Sequence, residues 1–101
     1  GTDQFGPVKF SLYQNTTTTY TVDTGTDTFT VADGNFPNDT PLIFTTSDTY
    51  PAPIDFITNY YVINSSANGR SFQISLTPSP GAAIDITTVG VGQQYVDKFV
   101  N

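Results

Sequence analysis

The chain has 101 residues, 37% of them hydrophobic and 14% aromatic, and it contains no Cys, His, Met or Trp. That length bounds one small domain able to bury a core, and the missing thiols exclude a disulfide framework and a thiolate metal site. Three cations, Lys9, Arg70 and Lys98, face nine carboxylates, all Asp, for a net charge of −6; such a balance supplies no basic patch for nucleic acid and disfavours an anionic membrane surface.

In chain order, Gly1 to Pro7 is polar and anchored only by Phe5, which reads as an extended arm, frayed or docked on a neighbour. Val8 to Tyr13 alternates Val8, Phe10 and Leu12 against Lys9, Ser11 and Tyr13, the period of a strand. Gln14 to Thr19 is a polar link. Tyr20 to Val22 and Asp27 to Ala32 predict a hairpin about Gly25, with Phe29 and Val31 inward and Thr28 and Thr30 in an outer threonine ladder. Asp33 to Pro41 has the Gly, Pro, Asn and Asp density of a loop. Leu42 to Thr46, apolar on both faces, predicts a central strand. Ser47 to Asn59 carries Pro51 and Pro53, which donate nothing to a ladder, and so forms a long connection whose Tyr50, Ile54, Phe56 and Ile57 must pack on something.

The stretch from Asn59 to Gly92 is the most strongly patterned. Tyr60 to Ile63 favours a strand, Asn68-Gly69 supplies a tight reversal, and the next run sets Phe72, Ile74 and Leu76 against Ser71, Gln73 and Ser75. Two such runs joined by a turn predict an antiparallel hairpin, because Gly accepts the positive φ of the reversal. Thr77 to Gly81 breaks the pattern, and a shorter strand is expected over Ala83 to Ile86. The tail from Gln94 to Val100 alternates Tyr95, Asp97 and Phe99 against Val96, Lys98 and Val100, so it closes a sheet or pairs with another subunit. No Glu is present, and Thr and Ser fill about a quarter of the chain, a composition for solvated strand faces and Asp-rich turns. The whole predicts an all-β fold: a small antiparallel β-sandwich or β-barrel of about seven to eight short strands, with an arm at 1–7 and one β domain at 8–101.

Tyr60 to Asn64, Ser71 to Ser75, Thr77-Pro78, Gly81 to Thr88, Gly90 and Gly92 together resemble a β-module of bacteriophage structural proteins, in tails and other virion-associated polypeptides. The module's usual Gly-Gly before the Ala pair stands here as Pro80-Gly81. The resemblance covers about a third of the chain, none of it in residues 1–40. It implies a virion part and carries over no site residues, since the motif marks a fold.

The inventory of reactive groups is short. Without His or Cys the common nucleophile–base pairs are missing. A paired-carboxylate site would need two Asp, such as Asp33 and Asp39, and these fit turn chemistry better. Asp33, Asn35, Asn38 and Asp39, or Asp23 and Asp27, offer calcium-type oxygens without the EF-hand spacing, and Asx turns account for them. The Asn-x-Ser/Thr triplets at Asn15, Asn38 and Asn64 are expected by chance in so Asn- and Thr-rich a chain. No cofactor is expected. No run matches the roughly 18–20 apolar residues of a membrane span, and no signal-peptide pattern opens the chain.

The expectation is therefore a non-enzymatic phage structural protein on the virion. First in order stands a capsid decoration or cement protein on the major capsid protein; second is a tail or fibre module, with Tyr side chains as a sugar platform. Partner contacts are expected at Phe5, Pro7, Tyr50, Pro51, Pro53, Tyr61, Tyr95 and Phe99, with homo-oligomerisation by edge-strand pairing.

Overall fold

The computed structural model describes residues 17–98. The predicted arm, the strand at Val8–Tyr13, Phe5, Pro7 and Phe99 lie outside the described residues. Within them the protein is all-β, with six antiparallel strands and no helix: β1 (Thr18–Asp23), β2 (Thr28–Val31), β3 (Pro41–Thr46), β4 (Tyr60–Ile63), β5 (Ser71–Ser75) and β6 (Gln94–Lys98). Their hydrogen-bonded order is β1-β2-β5-β4-β3-β6, and β6 returns to β1, so the ladder closes on itself as a barrel.

Two hairpins follow directly from local sequence. β1 and β2 pair with Tyr20 opposite Val31 and Thr21 opposite Thr30, which places the threonine ladder outside. β4 and β5 pair with Val62 opposite Ile74 and Ile63 opposite Gln73; Gly69, at φ +72°, supplies the reversal before β5. β3 lies between β4 and β6, and so is central as its apolar faces predict. The remaining joins are long-range. β6 is wedged between β3, with Phe44 opposite Val96, and β1, with Thr18 opposite Val96. Both edges of β6 are thereby used, and the tail closes the sheet over Gln94–Lys98.

Three expectations are corrected. Ala83–Ile86 is not a strand: only Ile84 N–H reaches the ladder, at the Ile74 carbonyl (2.9 Å). Leu76 does not continue the inward face of β5, which ends at Ser75; Leu76 is exposed while Ser75 is fully buried. Its hydroxyl donates to the Thr77 carbonyl, and Gly81 lies against it, so the segment after β5 doubles back over what alternation marks as a solvated face. Third, Phe56 and Ile57 pack on nothing in the core and stand exposed, because the connection sends Ile54 inward in their place.

The core is aromatic at its centre. Phe29 contacts the rings of Tyr20 (5.3 Å), Phe44 (5.8 Å) and Phe72 (5.9 Å), the last in a stacked arrangement. Phe44 meets Tyr20 and Tyr60 edge-on, and Phe36 leans on Phe72. Edge-on and offset pairs suit the ring quadrupole and add about 0.5–1.5 kcal/mol each beyond area burial. Phe36, from the β2–β3 connection, and Ile54 and Ile86, from the two longest connections, are also buried and join this cluster.

Among the described residues two buried polar atoms lack a hydrogen-bond partner, Gln94 Oε1 and, within the aromatic cluster, the Tyr20 hydroxyl. Burial first, and the neighbouring Tyr50 second, hold its pKa above the ordinary value. An orphaned buried hydroxyl costs free energy that Phe would not. Tyr20→Phe is expected to stabilise the fold by about 1 kcal/mol in urea titrations. The same group sets an alkaline limit. Below the unfolded-state pKa near 10 its contribution is constant; above it the unfolded chain ionises while the native phenol resists, so stability falls as pH rises. Alkaline unfolding of Tyr20→Phe should therefore occur at higher pH, which a circular-dichroism titration reads directly.

Candidate functional site

The strand directions sort the connections. Because every pairing is antiparallel, the ends of β1, β3 and β5 and the starts of β2, β4 and β6 all lie at one end of the barrel. That end carries the β1–β2 turn (24–27), the β3–β4 connection (47–59) and the β5–β6 connection (76–93). The opposite end carries the connections 32–40 and 64–70, and the chain enters β1 and leaves β6 there.

Apolar exposure follows this division. The large hydrophobic side chains that stand exposed among the described residues are Phe56, Ile57, Leu76, Val89 and Val91, from 57% to 86% exposed. All belong to the two long connections of the first end. Charge follows it too. Asp23, Asp27, Asp48, Asp55 and Asp85 lie on the same end, whereas the described cations, Arg70 and Lys98, lie at the other with Asp33 and Asp97; Asp39, on the connection 32–40, is reached by Ser79 of the β5–β6 connection. At that other end Arg70 pairs loosely with Asp33 (3.6 Å) and the Lys98 ammonium sits 5.4 Å from the Phe36 ring centroid.

The two long connections are held as one unit. Thr49 and Val91 exchange N–H···O bonds (3.0 and 2.9 Å), and Thr87 N–H donates to the Ala52 carbonyl (2.9 Å). Ala52 N–H donates in turn to the Thr88 hydroxyl (3.0 Å). Beneath them the Gln94 amide donates to the carbonyls of Thr49 (2.8 Å) and Val91 (2.9 Å). Gly90, at φ +78°, lets the backbone come this close: a Cβ there would meet the Thr49 carbonyl oxygen and, at 2.8 Å, the Pro51 nitrogen. Phe56 and Ile57 sit on a turn closed by Asp55, whose carboxylate accepts the Thr58 N–H (2.8 Å). Hydrogen bonds from Thr58 are the main reason its pKa is lowered.

The contact residues read from the sequence divide among several positions. Tyr50 is half-buried and its hydroxyl donates to the Phe44 carbonyl (3.0 Å); burial, then the charge of Asp55, raises its pKa. Pro51 is fully buried and supports the connection from below. Pro53 is exposed on the same connection. Tyr61 and Tyr95 are half-buried on the outer barrel wall, opposite Pro41 and Thr45 of β3 respectively. The apolar end thus takes in Pro53 and leaves Tyr61 and Tyr95 on the wall. Sequence reading passed over Leu76, Val89 and Val91 as contacts. The available signal was their place beside Pro78, Pro80, Gly90 and Gly92, where no ladder can draw an apolar side chain inward.

Oxygens of the oxygen-rich loops accept internal hydrogen bonds, one within a turn at Asp23 and three from distant segments at Asp27, Asn38 and Asp39. Asp23 accepts Gly25 N–H (2.8 Å), Asp27 accepts Ile86 N–H (2.9 Å), Asn38 accepts Ser65 N–H (2.9 Å) and Asp39 accepts Ser79 N–H (2.6 Å). No group of three or more metal-ligating side chains gathers among the described residues. A cleft of about 280 Å³ runs between β1 and the end of the β5–β6 connection, lined by Tyr20, Thr21, Val22, Val89, Gly92, Gln93 and Gln94. Its walls offer hydroxyl, amide and methyl groups and no carboxylate or cation.

Comparison with protein-family models found no matching family, and searches of curated proteins and of solved structures likewise found no match.

Proposed function

We propose that the chain is a non-enzymatic structural protein of a phage particle, a decoration or cement protein that binds the shell of major capsid protein and stabilises it. The observation that carries the binding part of this reading is the barrel end on which two cross-tied connections hold five large apolar side chains in solvent. Large apolar side chains left in solvent at one end of a fold are the kind of surface that a partner covers. The non-enzymatic part rests on the inventory, which lacks His and Cys. The virion part rests on the resemblance of residues 60–92 to the phage β-module. In this role each copy contributes a modest contact, and repetition over a shell makes those contacts additive through avidity. β6 has ladder partners on both sides, which favours the apolar end over strand addition at that edge as the assembly surface.

The same resemblance supports a second reading, a tail or fibre module, in which outward Tyr61 and Tyr95 meet a partner or a sugar. Immunogold labelling of purified particles, with gel densitometry for copy number, tests both. Label spread over the head at high copy supports decoration. Label confined to the tail at low copy transfers the assignment to the second reading, and particles without label overturn both.

A further inference from the structure

We infer that the barrel end bearing Phe56, Ile57, Leu76, Val89 and Val91 docks on a protein surface that has an apolar centre and a rim of Lys or Arg side chains. This deepens the reading of the chain as an assembly part by naming the face it uses and the chemistry of its partner.

The argument joins three observations. The first is that the large exposed apolar side chains among the described residues stand at one end, with Ile57 86% and Phe56 61% exposed on the β3–β4 connection. Burying such side chains is what favours association, and aromatic and aliphatic anchors carry most of it. The second is rigidity. The Thr49–Val91 exchange, the Ala52–Thr87 bond and the Gln94 amide tie the two connections together, and the Asp55–Thr58 turn holds Phe56 and Ile57 in place. A face already ordered loses little conformational entropy on binding.

The third observation selects the occupant. Five carboxylates lie on the connections and strand ends of the same barrel end, and no described cation accompanies them. Oxygens of Asp23, Asp27 and Asp55 accept hydrogen bonds from the protein's own backbone, which fixes where these side chains lie. A second copy docking end to end would set these carboxylates against each other, and like charges across an interface cost affinity. A bilayer presenting anionic lipid is repelled for the same reason. A protein surface with cations around an apolar centre meets both features at once, with the charges speeding encounter and setting register.

The probe is a fluorescein-labelled amphipathic helical peptide of Leu and Lys, measured by fluorescence anisotropy against the whole chain, with a Leu/Glu peptide of the same pattern for comparison. The Leu/Lys peptide should bind, the Leu/Glu peptide should bind at least about tenfold more weakly, and raising salt should weaken the former. Phe56→Ser with Ile57→Ser should weaken Leu/Lys binding at least about tenfold, with Asp85→Asn having a smaller effect in the same direction. These side chains are exposed, so thermal unfolding of the variants should match the parent. Equal binding of both peptides, or undiminished binding by the double variant, overturns the inference. So does concentration-dependent self-association that Ile57→Ser abolishes, which would make a second copy the occupant. Cosedimentation with phosphatidylcholine vesicles would make it a bilayer and overturn the inference equally. Unlabelled particles combined with Leu/Lys binding that meets these criteria would remove the virion reading and leave the docking face standing.

Discussion

Phe29→Ala should cost about 3–5 kcal/mol, the range for deleting a fully buried aromatic ring. Phe29 has no exposed surface and touches three other rings, each from a different strand: Tyr20 on β1, Phe44 on β3 and Phe72 on β5. Removing it takes away the transfer free energy of the side chain and opens a cavity whose walls are themselves rings. Those rings are pinned by the closed ladder and cannot collapse inward. A domain of this size has about 5–15 kcal/mol of total stability, so one ring is a large share of it. Equilibrium urea unfolding followed by tyrosine fluorescence measures the loss. Phe29→Leu, which keeps much of the volume, should recover more than half of it. A loss below about 1 kcal/mol for the alanine variant would show that the barrel repacks around the hole.

Gly90→Ala comes next in size, at about 3 kcal/mol. The residue lies in the left-handed region, at φ +78°, which costs an alanine about 1 kcal/mol or more by itself. The added methyl would also strike backbone, the Thr49 carbonyl and the Pro51 nitrogen, and the Gln94 amide (2.9 Å) that ties the connections together. Backbone cannot step aside as a side chain tip can. The β3–β4 and β5–β6 connections should therefore separate, with faster amide hydrogen exchange at Thr49 and Val91 than in the parent. Gly25→Ala is the matched control. Its Cβ would meet only the Asp23 carboxylate, at 3.2 Å, and the change in stability should stay within about 0.5 kcal/mol.

These two sites show which parts of the protein local sequence can announce. Alternation identifies the sides of β1, β2 and β5, and turn residues at Gly25 and Asn68-Gly69 join the hairpins, because both signals act between residues near in the chain. Ring closure has no such signal. β6 meets β1 across more than seventy residues, and nothing in Gln94 to Lys98 names its neighbours. Alternation also fails to say which strand face is finally covered. Ser75 looks solvated by its hydroxyl and its place in the pattern, yet the backbone of Thr77 and Gly81 folds over it. Nor does an apolar residue in a Pro-rich connection declare its fate. Ile54 goes to the core and Ile57, three residues later, to solvent. Ile57 sits on the turn that Asp55, one step beyond the residue that enters the core, closes with Thr58. The candidate site was thus half legible: its connection was visible through its prolines, while the side chains that face outward became visible only once the barrel closed.

The pairing of β1 with β6 has a consequence for how the fold can be carried. Thr18 and Val96 stand opposite each other on neighbouring strands, about 5 Å apart at the Cα atoms as an antiparallel ladder requires. The backbone therefore comes in and goes out through one doorway, at the end away from Phe56 and Ile57. A polypeptide spliced at that doorway into a surface loop of another protein would leave the host's own loop ends almost where they were. Mounted in this way, the barrel would point its apolar face outward from the host, like a plug on a two-wire lead.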